Sequence, residues 1–129
     1  MNTWAVEELE LLHRCWPDLV HAEGTGWCQI PSFAVPEGWN RTVASVAFQL
    51  PNDLPGQAPY AFLIRGGLAL VSGVAPTNYT FPVQTTPWGG DWGQFSWQLE
   101  PWVPGSLPGD GTCMVDFVRS FSARLRELN

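Results

Sequence analysis

Three thiols and two imidazoles have the widest chemical reach in this sequence: Cys15, Cys28, Cys113, His13 and His21. A cysteine attacks as its thiolate. Cys113 lies in GDGTCMVDF, at the start of a predicted helix. There, unpaired N–H groups and the helix dipole favour the thiolate. The same residue borders an apolar stripe beside Phe117. The sequence favours burial over activation, because free cysteines are usually buried and inert. Cys28, between Trp27 and Gln29, and Cys15, on a predicted helix, read as core or near-core fillers. An odd cysteine number at wide spacings gives no disulfide framework and no CxxC metal pair. His13 follows Leu11-Leu12 and His21 lies in a polar stretch, with no ligand partner at metal spacing. No GxSxG, HExxH or phosphate-binding loop occurs. A nucleophile, base and orienter are therefore not legible together, and neither a metal nor a cofactor is expected. Asp91, Glu100 and Asp110 are too scattered for a catalytic carboxylate pair.

Tryptophan is the other unusual resource. Trp88, Trp92, Trp97 and Trp102 are four of the eight in the chain, and all fall within residues 74–111. Two readings stay open. Exposed rings stack on sugars or bases, or anchor a protein partner. Buried rings form a core beneath a long loop, since leaving them in water is costly.

The chain that must position these groups has 129 residues, enough for one domain with one core. Its net charge is −6. That disfavours nucleic acid, whose binders cluster basic residues, and anionic membrane surfaces. A basic partner surface suits it better. All six positive side chains are Arg, with no Lys, which reads as codon bias. MNTWAVEELELL lacks the basic start and apolar core of a signal peptide. No apolar run approaches the ~20 residues of a membrane span. The expectation is a soluble cytoplasmic protein with free thiols, in which the sequons at Asn40 and Asn78 are idle.

Apolar spacing predicts a helix over 3–16, with Ala5, Leu9, Leu12 and Trp16 on one stripe and Thr3 as its cap. Glu7 and Glu8 are placed near its positive end. Trp27, Cys28 and Ile30 predict a short strand, with Pro31 and Pro36 demoting the next residues to edge or loop. Residues 41–50 alternate, with Ala44, Val46, Phe48 and Leu50 facing inward. A proline-rich connection leads to a strand over 60–64, a Gly66-Gly67 turn and a further strand in LALVSG. These strands form an antiparallel meander. Residues 74–111 read as a long ordered loop. A second helix over 112–128 carries Met114, Phe117, Val118, Phe121, Leu125 and Leu128, capped by Asp110 or Thr112. Arg124 and Arg126 suit its negative end. The fold class is α+β in two layers.

This order of elements resembles the ubiquitin-conjugating (UBC) fold, which runs helix, four-stranded antiparallel meander, extended active-site segment, then helices. Its mark is a proline-rich connection of the form Y-P-x-x-P-P. LPNDLPGQAPYAFLI stands in that place, with Leu54-Pro55 for Tyr-Pro and Ala58-Pro59 for Pro-Pro. IPSFAVPEGWN, LALVSG and WGQFSW…EPWVPG look like the prokaryotic ubiquitin-conjugating-enzyme-like branch, and the resemblance spans about residues 26–128. Active members carry His-Pro-Asn shortly before a nucleophilic Cys. Here no His follows His21, no Cys lies between Cys28 and Cys113, and only 16 residues follow Cys113. Ser96, in QFSW, lies nearer the expected place and could carry an oxyester, though no base is visible for it.

The resemblance implies a single UBC-like domain, a divergent and non-catalytic component of a bacterial ubiquitin-like modification system. Its implied partners are a ubiquitin-like protein and its activating enzyme, with Trp88, Trp92, Trp97 and Trp102 as candidate contacts. One alternative is an active transfer enzyme using Cys113 or Ser96. Another is a carbohydrate-binding module built on the Trp segment.

Overall fold

The structure, a computed structural model, describes residues 1–129. Helix α1 spans Thr3–Cys15 and helix α2 spans Met114–Arg126. Between them lie β1 (Val20–His21), β2 (Trp27–Ala34), β3 (Val43–Gln49), β4 (Phe62–Arg65), β5 (Tyr79–Val83) and β6 (Trp92–Phe95). All six strands join one antiparallel sheet in the order β1-β2-β3-β4-β6-β5. The α+β class and the two end helices are as the sequence predicts.

The inward residues of β3 are Ala44, Val46 and Phe48, all buried, and Leu50 just beyond it is buried too. They meet Phe62 and Ile64 of β4, Phe95 of β6, and Ala5 and Leu12 of α1 in one core. From α2 come Met114, Phe117, Val118, Phe121 and Leu125. Phe121 is its centre. Its ring stacks on Phe62 at 4.2 Å and meets Phe117 edge-on at 4.9 Å. Phe48 and Phe33 close around it. Leu128, the last residue of the predicted stripe, lies past the helix end and is exposed.

Several sequence expectations are corrected. Asn2 rather than Thr3 caps α1, because its Oδ1 accepts from the Ala5 N–H at 2.8 Å. β2 does not stop at Pro31. A register shift between Ile30 and Phe33 absorbs the proline, and β1 pairs with β2 only at Cys28 and Gln29. Pro31 therefore occupies a bulge on an open edge, where a missing N–H costs little.

LALVSG is not a strand. Gly66 and Gly67 do turn the chain, each at φ +74°. The backbone beyond them is satisfied elsewhere. Leu68 N–H donates to the Tyr79 hydroxyl, and Ala69 N–H to Asn40 Oδ1. Asn40 N–H donates back to Ala69 O. Only Trp39 and Leu70 form an isolated bridge.

The segment 74–111 is not a plain loop, since it supplies β5 and β6. These strands escape period-2 reading because Gly93 has no side chain and Pro82 interrupts β5. Gly93 is required: a Cβ there would collide with the Tyr79 ring and hydroxyl.

Candidate functional site

Two places bring together the residues in which the sequence hints at chemistry. The first is the N-terminus of α2. Cys113 has extended backbone and is its N-cap, displacing Asp110 and Thr112 from that role. Asp116 Oδ2 accepts from the Cys113 N–H at 3.1 Å, half of a capping box. The Cys113 thiol donates to the same oxygen at 3.4 Å. From α1, Glu8 reaches across, and its Oε1 accepts from the Met114 N–H at 2.7 Å. Its other oxygen accepts from the Trp4 indole at 2.7 Å. Glu8 is thus a buried carboxylate tying the start of α2 to α1.

The electrostatics of this junction oppose nucleophilic use of Cys113. Burial pushes the thiol up, and the S–H bond to Asp116 and that residue's charge act in the same direction. Backbone N–H donation opposes the rise only in part. Burial also raises Glu8, against the bonds from Met114 and Trp4. A cleft of about 370 Å³ beside Cys113 is lined by Arg14, Cys15 and Arg119 among others, and neither histidine lines it. His21 is engaged instead with the Thr25 carbonyl through Nε2 at 2.6 Å. The thiols differ accordingly. Cys15 is exposed, while Cys113 and Cys28 are buried, and burial pushes Cys28 up to about 12. Maleimide labelling of the native protein is expected to modify Cys15 alone. Cys28 and Cys113 should react only under denaturing conditions. Rapid native labelling of Cys113, read by peptide mass spectrometry, would contradict the buried-thiol assignment.

The second place surrounds the proline-rich connection between β3 and β4. This connection is held from three sides. Asn2 Nδ2 donates to Leu54 O at 2.8 Å, the Trp102 indole to Pro55 O at 3.1 Å, and Ala61 N–H to Trp97 O at 2.8 Å. Leu54 is buried, whereas Asn52, Asp53, Gly56 and Gln57 are exposed at its tip. Against Ala58 opens a groove of about 570 Å³, walled by Gln98, Leu99, Glu100, Pro101 and Trp102.

The four tryptophans of the segment divide. Trp92 is fully buried and presents no face to a partner. Trp88, Trp97 and Trp102 are half-buried. Trp97 donates to Ser120 Oγ at 2.8 Å, and Trp88 leans on Trp92 at 6.4 Å. Of the four, only Trp102 lines the 570 Å³ groove. Ser96 is exposed, its N–H donating to Asn78 O, and no carboxylate or imidazole is bonded to its hydroxyl. The chain has no cluster of three or more His, Cys, Asp or Glu side chains able to hold a metal. No helix is long and apolar enough to cross a membrane.

The burial of two ionisable residues escapes the sequence reading. Glu8 lies three residues after Ala5 and four before Leu12, on the buried stripe itself. Arg124 likewise follows Phe117 and Phe121 on the buried face of α2. It caps the helix end through Glu127 O and reaches Thr77 O at 2.7 Å. Its guanidinium sits 4.9 Å above the Phe95 ring. Burial lowers its pKa, with Glu127 opposing.

Compared with protein-family models, curated proteins and solved structures, the chain matches none.

Proposed function

We propose that this chain is a non-catalytic, UBC-like component of a bacterial ubiquitin-like modification system, binding an activating enzyme or a ubiquitin-like protein. The observation that carries the reading is the succession α1, then β1 to β4 paired in chain order, with the proline-rich connection between β3 and β4. The following segment departs from the resemblance, since it carries strands β5 and β6, and one helix, α2, comes after it. The added β5–β6 hairpin widens the sheet beyond the four strands of that pattern. The non-catalytic part rests on the chemistry. Cys113 is buried and its proton is held by Asp116, and Ser96 has no base.

The groove beside the proline connection is the assigned contact for the partner. It combines apolar Leu99, Pro101 and Trp102 with the exposed acid Glu100, which suits a basic partner surface. The test mixes the chain with a bacterial ubiquitin-like protein, its activating enzyme and ATP. A non-covalent complex without a thioester or oxyester is expected. Glu100→Arg, at an exposed position, should weaken it about tenfold. An adduct lost in Cys113→Ala or Ser96→Ala would establish the transfer-enzyme reading instead. Absence of both complex and adduct would end the conjugation reading.

A further inference from the structure

The sheet has a second face, and no helix covers it. Gln29, Ala47, Leu63, Gln94 and Thr80 are register partners across β2, β3, β4, β6 and β5, so they form one row. Ala47 and Leu63 belong to a small apolar cluster with Trp92, separate from the main core, which places this row on the outer face. Trp27 and Gln49 pair in the adjoining row. Together with Tyr60 and Thr85 they enclose a cleft of about 280 Å³.

We infer that this cleft binds a neutral saccharide. Its floor is Leu63, which is buried, and its aromatic walls are Trp27, half-buried, and Tyr60, 55% exposed. Such rings offer negative π faces to the polarised C–H groups of a pyranose. Gln49, Gln94 and Thr85 supply donors and acceptors for hydroxyl groups, and each amide presents both. These groups are free to do so. The indoles of Trp4, Trp39, Trp92, Trp97 and Trp102 all donate within the protein, and Trp27 is not among them. Gln84 is tied to Asp91, while Gln49 and Gln94 are not so tied.

Charge narrows the ligand class. The chain has twelve carboxylate and six guanidinium side chains, yet none lines this cleft. Arg65, on that face, is laid over Trp92 at 5.3 Å. A phosphorylated or uronic ligand would find no counter-charge, and a cationic one no carboxylate. The volume, just under the roughly 300 Å³ at which drug-sized pockets begin, suits a single sugar ring of a longer chain. Ala61 adds a structural sign. It lines the cleft at φ +69°, a backbone state costly for a residue with a side chain. That turn separates Tyr60, on the open face, from Phe62, in the core.

The experiment titrates the labelled protein with maltotetraose, cellotetraose and N-acetylchitotetraose, with tetragalacturonate as the charged comparator. Amide and indole NMR shifts are read. At least one neutral oligosaccharide should shift the Trp27 indole signal, with millimolar or tighter affinity. Trp27→Ala should weaken binding about tenfold and Tyr60→Ala several-fold. Tyr60 is exposed, so its variant keeps the test valid if Trp27→Ala unfolds. Glu100→Arg should leave saccharide binding unchanged, which separates this cleft from the protein-binding groove. The inference is overturned if no neutral oligosaccharide shifts Trp27 at millimolar concentration. Equal binding of tetragalacturonate, or binding unaffected by Tyr60→Ala, would overturn it as well.

Discussion

Phe121→Ala should lower the unfolding free energy by about 3–5 kcal/mol. The ring is fully buried and touches Phe62, Phe117, Phe48 and Phe33, drawn from α2, both central strands and β2. Truncation removes the transfer free energy of the ring and leaves a void. Its walls are other aromatic rings, which cannot bend inward to fill it. A domain of this size has roughly 5–15 kcal/mol in total, so the variant is near the threshold of folding. Urea unfolding followed by Trp fluorescence measures the loss. Leu128→Ala, at an exposed position, should stay within about 0.5 kcal/mol. A loss below about 1.5 kcal/mol for Phe121→Ala would mean that the core repacks, and that Phe121 is not its centre.

The second large effect is at Glu8. Glu8→Ala strands the buried Met114 N–H and leaves the half-buried Trp4 indole N–H without its acceptor. Each orphaned donor costs about 1–3 kcal/mol, so a loss of about 2–4 kcal/mol is expected. Glu8→Gln keeps one acceptor and should lose less. The pair also yields a pH signature. Burial raises Glu8 above its ordinary 4.5. The folded protein then holds this proton more tightly than the unfolded chain. The resulting stability is fully present below the unfolded pKa and is lost as pH rises through the folded one. Wild type should therefore gain stability relative to Glu8→Gln as pH falls from neutral towards 4.5. The opposite slope, in paired denaturation curves, would show that the hydrogen bonds outweigh desolvation.

Glu8 also marks where sequence reading succeeds and fails. The stripes of α1 and α2 were legible because 3.6-residue periodicity survives one polar interruption. By position alone Glu8 reads only as a charge near the positive end of the helix. Its partner is the N-terminus of a helix 106 residues away, which no local pattern reveals. β3 was legible because it alternates and contains no proline. β6 was not, because Tyr79 from the neighbouring strand occupies the space over Gly93 where a side chain would show the pattern. LALVSG misled because Leu68 and Leu70 are buried as a strand would bury them, yet the backbone bonds go to Asn40 and Tyr79. Of the candidate site, the proline connection was legible from composition. The cleft at Trp27 and Tyr60 was not, because it exists only once register brings β2, β3, β4 and β6 side by side.

Pro31 and Pro82 obscure two strands in the sequence, and their positions bear on colloidal behaviour. Near pH 4.6 the net charge of the chain vanishes and long-range repulsion between molecules with it. Solubility then depends on whether one sheet can extend into the next. β5 is the terminal strand on one side and contains Pro82, and β2 beyond its short partner contains Pro31. Each margin contains a residue with no ladder donor, and each has a register irregularity, both of which disfavour edge-to-edge pairing. Resistance to intermolecular sheet growth is thus written into the backbone of this protein and persists where its charge does not.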